Sequence, residues 1–141
     1  MASEYMMRTF LGLAHSGWRW VVILTALVAF AWALIRVVRG TDNSRLTRFS
    51  MLAFTIGMDM QVLFGILHFL ERLSQDAIYD GLWLHLISGL AALAILHGLT
   101  ARARRQAAPA QARTHLIAVI ASFALVFVGV AALVGGLPRW V

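Results

Sequence analysis

Five histidines and one aspartate set within a hydrophobic run are the residues of this 141-residue chain with the most chemistry to offer. Neutral imidazole binds metal ions and haem iron, and it shuttles protons. His15, His68 and His85 each fall near the same end of a different hydrophobic run, and His97 and His115 fall near the opposite end. Asp59 lies near the middle of a run, where a carboxylate costs roughly 2.5–3.5 kcal/mol on insertion scales unless it is protonated or paired. There it can relay protons, bind a quinone hydroxyl or pair with an arginine. Its other role is a protonated carboxyl bonded to Thr25, Ser88 or Ser122 that holds helices together. Arg19, between Trp18 and Trp20, can hold a haem propionate or a quinone carbonyl, or it can snorkel to lipid phosphate.

The composition narrows the chemistry. The basic residues are twelve arginines with no lysine, so retinal and pyridoxal Schiff bases are excluded. The absence of cysteine excludes disulfides, iron–sulfur clusters, thiolate zinc sites and covalently attached haem. What remains is a cofactor held by histidine, or none.

The elements that position these residues follow from hydrophobicity. Hydrophobic residues make up 61% of the chain and charged residues 13%, about half the charged fraction of a soluble domain; the mean hydropathy is +0.81. Four apolar stretches, roughly 18–38, 49–70, 82–101 and 115–137, are each long enough to cross a bilayer, which takes about 20 residues. None shows strand alternation, and lipid admits only helices or closed barrels. The expected fold is all-α: one transmembrane domain over residues 1–141, an antiparallel four-helix bundle. The first helix is expected to begin near Arg8. Its run is too long for a signal peptide and lacks a small-residue cleavage site, so it is read as retained.

The charges orient this bundle. The first connector carries Arg36, Arg39, Arg45 and Arg48 against Asp42; the third carries Arg102, Arg104, Arg105 and Arg113 with no acid. The second carries Glu71, Asp76 and Asp80 against Arg72. Arginine-rich loops stay in the cytoplasm, so the second connector and both termini belong outside. The net charge of +6 is thus mostly a topology signal and lines no nucleic-acid-binding face. Trp18, Trp20, Trp83 and Trp140 fall at the outer edge as an aromatic belt. Pro109 reads as part of a short third loop.

With these spans in place, His15, His68 and His85 share a depth near the outer leaflet on three separate helices. An iron with two axial imidazoles needs such an arrangement, with small residues beside it for the flat macrocycle. Gly57, Gln61, Gly65 and His68 share one face of the second span; His85, Ser88, Gly89 and Ala92 share one face of the third. The same small residues also let helices approach closely. Asp59, about 200° from Gly57, faces away from this stripe. Zinc or copper on three histidines, supported by Glu71, Asp76 or Asp80, is a further option. His85 and His97 are about 18 Å apart along their helix and about 120° apart in azimuth, so one face cannot carry both. His97 and His115 are read as residues of the cytoplasmic interface.

Several short motifs add a resemblance. HSGWRW at His15–Trp20, DMQVLFGIL at Asp59–Leu67, WLH ending at His85 and LPRW ending at Trp140 resemble small four-helix bacterial membrane proteins labelled cytochrome b-like. The resemblance covers nearly the whole chain through short motifs. It implies haem b, electron transfer and a bacterial cytoplasmic membrane, with histidines opening the first and third spans, here His15 and His85. A histidine often lies two residues before the span-two glutamine in that group; here the position is Asp59.

The leading expectation is a membrane b-type haem protein that carries electrons, with quinone as candidate electron partner. His85 serves as one ligand with His15 or His68 opposite, and Arg19, Gln61 and Gly65 complete the site. A rival reading is a cofactor-free accessory subunit of a larger respiratory or photosynthetic membrane complex, contacting lipid and other membrane subunits. A third is a small proton-coupled carrier using Asp59.

Overall fold

A computed structural model describes residues 2–40 and 44–133 of the chain. The fourth span beyond 133, the LPRW motif with Trp140, Asp42, and the side chains of Glu4 and Arg8 lie outside the described residues.

Four helices follow one another: α1 (Ala2–Arg39), α2 (Ser44–Leu73), α3 (Asp80–Ala103) and α4 (Ala108–Leu133). Each contains a stretch long and apolar enough to cross a membrane. All are longer than the hydrophobic runs that specify them, because lipid sets only a minimum length and the polar flanks continue the same backbone hydrogen bonding. The first helix therefore begins at Ala2 rather than near Arg8.

The breaks have local causes. Gly40 closes α1 at φ +61°, donating its N–H to the Arg36 carbonyl at 3.1 Å; that left-handed cap suits glycine. Asp76 takes φ 51° in the turn after α2, a conformation that aspartate tolerates better than most side chains. Asp80 opens α3, with its charge facing the positive end of the helix dipole.

Pro109 is not in the loop. It is the second residue of α4, where its missing N–H would have no intrahelical partner anyway. The third connector shrinks to 104–107, and Arg102 and Arg113 belong to helices.

Helix α1 packs on α2 and α4, and α3 packs on α4 and α2, so α1 and α3 lie diagonally across the bundle. The dense core is built from Ala26, Ala29, Phe54, Met58, Leu96 and Val119 with their neighbours. It occupies the half nearer the first and third connectors. There Arg36, only 4% exposed, holds its guanidinium against Gln111 Oε1 at 3.3 and 3.4 Å. Arg36 is thus a packed α1–α4 link and not a free connector charge. At most 28% of the most apolar window in each span is buried within the chain. Most residues of these windows are therefore not buried within the chain.

Candidate functional site

The half of the bundle nearer the second connector is less filled. A cavity of about 460 Å³ opens there between all four helices, within the roughly 300–1,000 Å³ range of ligand sites. His15, Arg19, Gln61, Gly65, His68 and His85 all line it. The stripes read from spacing thus reach one space, because residues three and four apart share a helix face.

The histidines gather around His15. His15 from α1 has its ring 6.5 Å from that of His68 of α2, with planes within 22°, and 6.0 Å from that of His85 of α3, nearly perpendicular. His15 is held closely. Its Nδ1 lies 3.2 Å from the Gln61 carbonyl oxygen, and Gln61 Nε2 donates to the His15 carbonyl at 3.1 Å. Gly65 makes room for the ring, since a Cβ there would lie 3.0 Å from His15 Cε1.

His68 Nδ1 lies 3.0 Å from the Glu71 carboxylate, and Arg72 Nε lies 3.5 Å from its other ring nitrogen. Both ring nitrogens of His68 are thus engaged by side chains of its own helix. His85 Nδ1 is buried against Gly129 without a well-formed hydrogen bond. Two more buried polar atoms in the cavity wall, Arg19 Nε and Gln61 Oε1, also lack partners. Buried polar atoms of this kind are costly unless something satisfies them.

Several lining residues escaped the sequence reading, among them Arg72, Met58, Phe69 and Phe123. Arg72 lies one helical turn after His68, and that spacing was available as a signal. Phe123 of α4 had no distinguishing signal within an apolar run. Arg19 stacks over Trp20 at 5.3 Å while lining the cavity. Trp18 is not a belt residue: its indole N–H donates to the Gly57 carbonyl at 3.0 Å, and its ring packs on Phe64. Trp20 and Trp83 are exposed.

Among the described residues, no three histidine, aspartate or glutamate side chains come close enough to hold one metal ion together. The zinc or copper site on His15, His68 and His85 is therefore not formed among the described residues.

Asp59 does face away from the cavity. Its partner is none of the hydroxyls expected: Thr25, Ser88 and Ser122 bond to carbonyls of their own helices. Asp59 Oδ1 instead meets His97 Nε2 of α3 at 2.7 Å. His115 is buried, with Nδ1 lacking a hydrogen-bond partner.

No protein-family model matches this sequence, and neither the curated proteins nor the solved structures provide a match.

Proposed function

We propose that this chain is a membrane electron carrier that holds one b-type haem between His15 and His85 in the outer half of the bundle. The observation that carries the proposal is the 6.0 Å separation of those two rings, from diagonal helices, across a cavity that both line. Metal–imidazole bonds of about 2 Å on either side of an iron bring ring centres to roughly 6 Å. A haem held by His15 and His85 would supply a one-electron couple.

The chain's own residues do the rest. The Gln61 carbonyl holds the His15 ring through Nδ1, while the Gln61 side-chain amide, 3.4 Å from Nε2, would have to move aside for a ligand there. Arg19 and Arg72 provide two cations at the cavity wall for the two carboxylates of such a group. Met58, Phe69, Phe123 and Val126 exclude water, and a dry site strengthens the influence of those charges on the redox potential.

The bundle is antiparallel in this reading, a single domain over residues 1–141 of a bacterial cytoplasmic membrane, with both termini outside and quinone as electron partner. Supporting it, His15 early in α1 meets Gln61 late in α2, and Arg36 late in α1 meets Gln111 early in α4.

The test is the visible spectrum of the purified full chain expressed with haem supplied. A Soret band with sharp reduced α and β bands is expected, with loss of both bands in His85→Ala and in His15→Ala. A colourless wild-type protein overturns the proposal.

A further inference from the structure

At the end of the bundle opposite the histidine cavity, a buried cation has no carboxylate beside it among the described residues. Arg36 is only 4% exposed, yet its guanidinium meets a single acceptor, the neutral Gln111 Oε1, at 3.3 and 3.4 Å. Those distances exceed the roughly 2.7–3.2 Å of a good N–H···O bond, and Arg36 Nε has no partner. The described acids are elsewhere: Asp59 pairs with His97, and Glu71, Asp76 and Asp80 lie at the second connector. A desolvated charge is costly unless it is paired and hydrogen-bonded.

A second buried group faces the same place. His115 is 5% exposed and its Nδ1 lacks a partner. It follows Gln111 by one turn on the same face of α4, and the charges of both Arg36 and Arg104 act on its ring. Arg104 is exposed at the C-terminal cap of α3. The first turn of α4 carries no acid, so the positive end of its dipole adds to the same field.

Depth selects the anion. The α1 span Thr9–Arg39 has 31 residues, about 46 Å at 1.5 Å per residue, which matches the roughly 40–45 Å of a bilayer with its headgroups. Arg36, in the last turn of α1, therefore falls at the level of lipid phosphates. The planar guanidinium fork takes two phosphate oxygens at once, and basic pockets between transmembrane helices bind anionic headgroups.

We propose that Arg36, Arg104 and His115 hold the phosphate of an anionic lipid headgroup, which displaces the Gln111 amide from the Arg36 guanidinium. Gln111 is half-buried near the start of α4, so turning its side chain outward opens the fork without moving a helix. Free inorganic phosphate shares this oxyanion chemistry. The lipid is the better match because Arg36 links two membrane-spanning helices at headgroup depth.

The test is native mass spectrometry of the full chain in detergent, titrated with phosphatidylglycerol, with zwitterionic phosphatidylcholine and with inorganic phosphate. One phosphatidylglycerol should be retained about tenfold more tightly than phosphatidylcholine, as a charge-assisted bond implies, and excess inorganic phosphate should not displace it. Arg36→Gln should weaken that retention about tenfold or more. Gln111→Glu should weaken it as much while keeping or raising thermal stability, because it sets a carboxylate where the phosphate would lie; this covers the case in which Arg36→Gln misfolds. Arg105→Gln removes an exposed charge at the same end and should change retention by no more than about threefold.

Four results would overturn the proposal: equal retention of the two lipids, displacement by inorganic phosphate, undiminished retention in Gln111→Glu, or a loss in Arg105→Gln as large as in Arg36→Gln. A fifth is Asp42→Asn destabilising the protein as strongly as Arg36→Gln, which would make Asp42 the counter-ion. None of these readouts depends on haem.

Discussion

The geometry of His15 depends on the absence of one methyl group. Its ring lies against Gly65, and an alanine Cβ there would come within 3.0 Å of Cε1 and 3.3 Å of Nδ1. Replacing a glycine inside a helix gains up to about 1 kcal/mol of helix propensity, while overpacking costs about 1–3 kcal/mol. The ring has little freedom to yield, because Gln61 holds both its Nδ1 and its backbone carbonyl. Gly65→Ala is therefore expected to lower thermal stability by no more than about 2 kcal/mol yet displace His15 from its position opposite His85. Reduced-minus-oxidised absorbance per mole of protein should fall several-fold while the helical circular dichroism is retained. Full haem content in Gly65→Ala would show that His15 can move without consequence and would remove it as a ligand.

At the scale of elements, glycine has a different use. Helices α3 and α4 approach so closely near the cavity end that a Cβ on Gly81 would lie 2.5 Å from the Ala132 carbonyl oxygen. That atom is backbone, so α4 itself would have to shift. Gly81→Ala should destabilise the bundle by about 1–3 kcal/mol. Gly17, on the exposed side of α1 with nothing within 4 Å of its Cβ direction, should behave in the opposite sense: Gly17→Ala should stabilise by up to about 1 kcal/mol. Thermal melts of the two variants in one detergent check the pair, and equal shifts in the same direction would contradict the packing described here.

These contrasts also mark what the sequence could reveal. Four apolar runs were legible because lipid leaves the backbone no alternative. The meeting of His15, His68 and His85 was legible because depth follows from counting residues at 1.5 Å each. Partners across helices were not. The azimuth of Asp59 correctly turned it from the cavity, but only packing decides that His97 faces it instead of Thr25, Ser88 or Ser122. Trp18 misled because an indole near a helix end can serve the interface or a neighbouring carbonyl equally well. Pro109 misled because loops and first helical turns both accept proline.

For the whole molecule, the distribution of charge carries an orientation that chemistry can read directly. The end of the bundle with the first and third connectors has Arg39, Arg45, Arg48, Arg104 and Arg105 exposed, and the end with the second connector has Asp76 and Asp80 exposed. Moving arginine-rich loops across a membrane is disfavoured, so the histidine cavity, which lies at the acidic end, should open toward the outer face. The chain has no cysteine, so single cysteines can report each side without a cleared background. Gln75→Cys in the second connector and Ala107→Cys in the third both replace residues outside the helical cores, at exposed positions. A membrane-impermeant maleimide applied to intact spheroplasts should label Gln75→Cys fully and Ala107→Cys only after permeabilisation. The reverse pattern would place the cavity toward the cytoplasm. If the proposed electron-carrier function holds, its partners would then lie on the opposite side of the membrane.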